Sequence, residues 1–199
     1  MPRITEERRA ARRLEILEAA WRCFHRQGLH LTTMDDIIRE CGLSAGAVYG
    51  YFKNKDELIL EAVVTSLSAL GVALAPVFES EPAPPPAQLI ENILAVVDRF
   101  SARSGYDLKR IALLGWAESQ RSAAVLEAMH GHYLGFLARF ETLAERWRSQ
   151  GVINAAADGS AFAKTLLSLV MGYVAQSAIL GELKAETIRK GLDGLLKAQ

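Results

Sequence analysis

The chain has 199 residues, half of them apolar and 23% charged, which suits one compact domain or a small domain fused to a larger one. That balance excludes a disordered or collagen-like chain, and two cysteines, Cys23 and Cys41, supply neither a disulfide framework nor a cysteine-rich zinc site. Basic and acidic residues number 23 each, so net charge points to no polyanionic partner, although the stretch up to Lys55 holds 10 basic against 7 acidic side chains.

The opening stretch MPRITEERRAARRLEIL is charged throughout and lacks the apolar core of a secretion signal, so a cytoplasmic location is expected. Prolines stand only at 2, 76, 82 and 84–86. The long proline-free stretches show helix-period apolar spacing and no sustained alternation, which predicts an all-α protein of about nine helices. The first helix is expected from about Thr5 to Gln27, with Leu14, Leu17, Ala20, Trp21 and Phe24 inward and Gly28 as its stop. Thr33 is an N-cap with Asp36 at the reciprocal position, and Gly42 ends the short helix that follows. Ser44 caps a third helix over AGAVYGYF, and Asn54 with Glu57 opens a fourth.

The segment PVFESEPAPPP, residues 76–86, reads as an extended loop. Further helices are predicted near 87–103, 107–120, 123–150, 159–180 and 185–197. Two uncharged runs, Ala62–Phe78 and Thr165–Gly181, have 17 residues each, the short limit for a bilayer span. Both contain polar residues or proline, so buried helices and no membrane partner are expected.

The informative stretch is Thr33–Leu58, TMDDIIRECGLSAGAVYGYFKNKDEL. Two short helices joined by Cys41-Gly42-Leu43-Ser44 have the sequence form of a helix-turn-helix. In the second of them Gly46 and Gly50 each cost about 1 kcal/mol against alanine, so packing and a cap must hold it. Val48 and Phe52 face inward; Ala45 and Tyr49 face outward. The small residues Ser44, Ala45, Gly46 and Ala47 allow a helix N-terminus to approach DNA, where backbone N–H groups meet phosphate. Thr33 reaches from the other side of the groove, Tyr49 and Tyr51 supply reach, and Lys55 adds a mobile cation. Arg8, Arg9, Arg12 and Arg13 are either a DNA-flanking cluster or a solvated helix face.

Thr33, Ile37, Gly42, Leu43, Ser44, Gly46, Val48, Tyr49, Tyr51, Phe52, Lys55 and Leu58 together resemble the DNA-binding signature of the TetR (tetracycline-repressor-like) family of transcriptional regulators. The resemblance covers the first quarter to third of the chain. It implies a DNA-binding domain over 1–55 and a helical ligand-binding and dimerisation domain over 56–199. A homodimer on a palindromic double-stranded operator is implied, usually a repressor released by a small-molecule effector. Cys41, Ala45 and Gly50 depart from the family pattern, leaving fewer side chains than usual to read bases.

In the body, Phe100, Trp116, His130, Tyr133, Phe136, Phe140 and Tyr173 are candidates to line a pocket for an apolar or aromatic effector, with plain core as the alternative. Leu166, Leu169, Val170, Ile179, Ile188, Leu192 and Leu195 offer more apolar face than the last two helices of a monomer need, so part is assigned to a partner subunit. His130 and His132 point about 200° apart on a helix and cannot share a metal; no metal or other cofactor is expected. Gly42-Leu43-Ser44-Ala45-Gly46 matches the GxSxG elbow of hydrolases, but a helix rather than a strand precedes the serine, so an enzyme is not expected. The alternative function is a helical adaptor or small-molecule-binding protein without DNA-binding activity.

Overall fold

The computed structural model describes residues 5–181 and 183–196; Met1–Ile4, Glu182 and Lys197–Gln199, including the start of the charged opening stretch and the end of the last predicted helix, lie outside the described residues. Nine helices run through the described chain: α1 (Glu6–Leu31), α2 (Met34–Cys41), α3 (Ala45–Tyr49), α4 (Lys55–Phe78), α5 (Pro86–Ser101), α6 (Leu108–Ser119), α7 (Ala123–Ser149), α8 (Gly159–Leu180) and α9 (Ala185–Leu196). Two two-residue strands, β1 (Ala102–Arg103) and β2 (Tyr106–Asp107), pair across a turn in which Gly105 takes φ +88°. That ribbon is too short for an alternating pattern to announce it.

The chain divides into two compact units, Met1–Ser66 with Arg103–Ala128, and Leu67–Ala102 with Met129–Gln199. In the first, α1 packs on α2, α6 and β2, burying Ile16, Leu17, Ala20, Trp21, Cys23 and Phe24. The centre of that stripe lies nearer Ile16, Ala20 and Cys23 than the sequence predicts, and Leu14 stays 44% exposed at its edge. Gly28 breaks the helical path at φ +80°, ψ 169°, yet one more turn follows to Leu31.

In the second unit α5 packs against α8 and α9 around Leu89, Ile90, Ile93, Leu94, Phe140, Trp147 and Tyr173. Helix α4 continues through Pro76, two residues before its end, so the predicted loop begins only at residue 79. A proline in a last turn loses one helical bond and little else. The loop beyond is held by side chains rather than by stiffness. Trp147 Nε1 donates to the Pro84 carbonyl at 2.9 Å, and the Arg146 guanidinium reaches the carbonyls of Phe78 and Ser80 at 2.9 and 2.8 Å.

Helices α4 and α8 are long and apolar enough to cross a bilayer by length and composition. The expectation that they are buried holds for one face only: 22% of the most apolar stretch of α4 and 17% of that of α8 is buried.

Candidate nucleic-acid interface

The helix-turn-helix forms where its local signals place it. Thr33 Oγ1 accepts the Asp36 N–H at 3.1 Å while the Asp36 carboxylate accepts the Thr33 N–H at 2.9 Å, a complete capping box. Gly42 at φ +69° closes α2 in the left-handed region, returning its N–H to the Ile38 carbonyl at 3.2 Å. Ser44 Oγ then accepts the Ala47 N–H at 3.3 Å to start α3. Val48 and Phe52 are fully buried, as their four-residue spacing predicts. The structured part is shorter than AGAVYGYF: five helical residues and then a turn, so exposed backbone donors matter here more than any macrodipole.

Ion pairs fix this pair of helices to its neighbours. Glu40 of α2 takes Arg22 at 2.7 Å and Arg26 at 3.2 Å, both from α1. These bonds, led by that from Arg22, hold the Glu40 carboxyl below the usual carboxylate range. Asp36 is likewise held low, chiefly by the Thr33 backbone N–H and then its hydroxyl. Arg13 binds Glu61 of α4 at 3.0 Å and lies 4.6 Å over the Phe52 ring. The cluster Arg8, Arg9, Arg12 and Arg13 is therefore divided, Arg13 being structural. Sequence reasoning missed these ties because their partners lie 18 and 48 residues away.

Of the predicted DNA-contacting residues, Thr33, Ser44, Ala45, Gly46 and Tyr49 are exposed on this unit, whereas Ala47, Tyr51 and Lys55 are half-buried. Tyr49 is 46% exposed. Two roles are corrected. The Lys55 ammonium is not a mobile cation: it donates to the carbonyls of Leu29, His30 and Thr32 at 3.1, 3.2 and 2.9 Å, using its three protons on the end of α1. Thr33 has its N–H and hydroxyl both committed to Asp36, so it has no donor left over for phosphate. Ser44 differs, since its oxygen only accepts within the chain and its hydroxyl hydrogen is available to the outside. The residues before Ser44 come from a helix, which leaves the GxSxG pattern without the strand a nucleophile elbow requires.

The candidate effector residues fall in both units. Trp116 belongs to the first unit, and Phe100, His130, Tyr133, Phe136, Phe140 and Tyr173 to the second. Phe100, Trp116 and Tyr133 are half-buried. Phe136 and Phe140 are buried, Phe140 meeting Phe78 edge-on at 5.2 Å. His130 is exposed, one step round α7 from the inward stripe of Met129, Phe136 and Phe140. Tyr173 is buried, its hydroxyl 2.6 Å from Asp98 Oδ2 and 3.0 Å from the Leu183 carbonyl. Burial, and then the bond to Asp98, push that phenol far above its ordinary range.

Among the residues assigned to a partner subunit, Leu166 is corrected. At 4% exposure it fills its own protomer's core. Leu169, Val170, Ile188 and Leu192 are partly buried against the same core, while Ile179 and Leu195 are 70% and 78% exposed.

Residues 16–62, from mid-α1 to α4, match the family model described as bacterial regulatory proteins, tetR family. The chain is 37% identical over 97 residues to the transcriptional regulator TtgR of Pseudomonas putida, across 49% of this chain and 46% of that protein. It therefore spans under half the length of that relative. It is 30% identical over 141 residues to the transcriptional regulator LmrA of Bacillus subtilis (strain 168), across 70% of this chain and 72% of LmrA. In fold it resembles Salmonella enterica GusR at a TM-score of 0.74 and 26% identity, covering 99% and 100% of the two chains. The relatives carry the names of regulators rather than enzymes, and with helix-turn-helix, helical body and sequence in agreement, the chain belongs to the tetR family of bacterial regulatory proteins.

Proposed function

We propose that the protein is a homodimeric repressor in the cytoplasm, with no membrane partner, that leaves a palindromic operator when a small, largely apolar or aromatic effector binds its helical body. Residues 1–55 serve as the DNA-binding domain in this reading, and 56–199 as the effector-binding and dimerisation domain. The observation that carries it is the outer face of α3 and its cap: Ser44, Ala45, Gly46 and Tyr49 are exposed together, while Val48 on the helix and Phe52 in the segment after it are buried. A face so small lets backbone donors approach phosphate while Tyr49 reaches into the groove. In a dimer, two such helices about 34–36 Å apart would meet successive major grooves. An effector that prefers a different separation lowers operator affinity by its differential binding.

The test is selection of bound sequences from a random duplex library, followed by titration of the enriched duplex against salt. A palindrome is expected, with affinity falling linearly in log salt. Tyr49→Ala should weaken binding by about 1–3 kcal/mol at an unchanged melting temperature. Absence of duplex binding at low salt would refute the repressor and leave an adaptor or small-molecule-binding protein.

A further inference from the structure

In the first unit a groove of about 470 Å³ opens beside α3, lined by Arg8, Ala11, Arg12, Glu15 and Tyr51. Arg8 and Arg12 are exposed one turn apart on α1, and Ala11 between them puts no bulk into the space. One carboxylate lines the groove, Glu15, and it pairs with Arg12 at 2.7 Å, so the lining keeps a net positive charge. The wall nearest α3 is Tyr51, two residues beyond Tyr49. Its position is set from below by Arg13, which anchors to Glu61 and Phe52 and extends Nη1 to the Tyr51 carbonyl at 3.5 Å.

Resting on the DNA-binding reading above, we propose that this groove seats a backbone phosphodiester of duplex DNA flanking the stretch read by α3. Two guanidinium groups suit that ligand better than any other chemistry near the site. Their planar forks match the paired oxygens of a phosphodiester. Glu15 works against the ligand while it orders Arg12, so its removal and the removal of the arginines act in opposite directions. Contacts of this kind fix register on the duplex without reading sequence.

The full-length chain is titrated by fluorescence anisotropy against a labelled random-sequence duplex of about 30 base pairs, between about 50 and 200 mM salt. The Arg8→Gln/Arg12→Gln double variant keeps good helix formers on α1 and should bind about tenfold more weakly, with a slope of log affinity on log salt shallower by about 2. Glu15→Gln should bind more tightly than wild type. Lys164→Ala, which removes an exposed charge from α8, should match wild type. A double variant with the wild-type slope, or Glu15→Gln with unchanged affinity, overturns the groove while leaving α3 as a DNA reader. Failure of the wild-type chain to bind any duplex overturns the groove and the DNA-binding reading together.

Discussion

Gly46 has no internal reason to be glycine. Its φ is not positive, and a methyl group built on its Cα would meet nothing within 4 Å. A glycine in a helix costs about 1 kcal/mol against alanine, so five-residue α3 carries an avoidable penalty. If closeness to a duplex imposes that cost, Gly46→Ala should raise the midpoint of urea unfolding, by about 0.5–1 kcal/mol of stability, and at the same time weaken operator binding. A stabilised variant with undiminished affinity would remove α3 from the groove. Gly42 is the contrasting case, because its φ of +69° makes any side chain strained there. Both glycines stand out equally in the sequence; only the backbone angles separate one that turns the chain from one that leaves space outside it.

At the scale of elements, α2 owes its position to two carboxylates held in charge-assisted bonds, Asp36 in the cap and Glu40 between Arg22 and Arg26. Both are depressed in the folded chain. A depressed carboxylate contributes its full stability above its unfolded value, about 4, and loses that contribution as pH falls through the folded value. The melting temperature should therefore fall as pH drops below about 4, and Asp36→Asn with Glu40→Gln should flatten that fall. An equally steep curve in the double variant would assign the acid sensitivity to other groups. Caps of this sort were legible in the sequence because donor and acceptor lie three residues apart. The Glu40 and Arg13 ties were not, since pairs across 18 or 48 residues exist only once the helices have packed. The helix boundaries of the body were legible to within a few residues for the same local reason, glycine and proline marking the ends.

For the molecule as a whole, the second unit leaves part of its apolar surface bare. Ile179, Leu180 and Leu195 are each at least 70% exposed near the ends of α8 and α9. In the homodimer proposed above, a second copy covers this surface. Ile179→Asp combined with Leu195→Asp should give a monomer by sedimentation equilibrium, with the salt slope of operator binding reduced to about half. A stable dimer in that variant would move the interface elsewhere. Apolar composition marked α8 and α9 as having surplus apolar residues, but not which of them stay outside: Leu166 and Ile179 are alike in composition, and packing puts the first inside.

The three carbonyls at the end of α1 are answered by an ammonium 23 to 26 residues further on, and Leu58, Ile59 and Ala62 of α4 supply buried surface to the same unit. A nascent chain that has emerged only as far as α3 thus holds weak helices with their closing partner still inside the ribosome. The helix-turn-helix gains that closing partner when the first turns of α4 are released, and the outer side of α1 is covered only once β2 and α6 have followed.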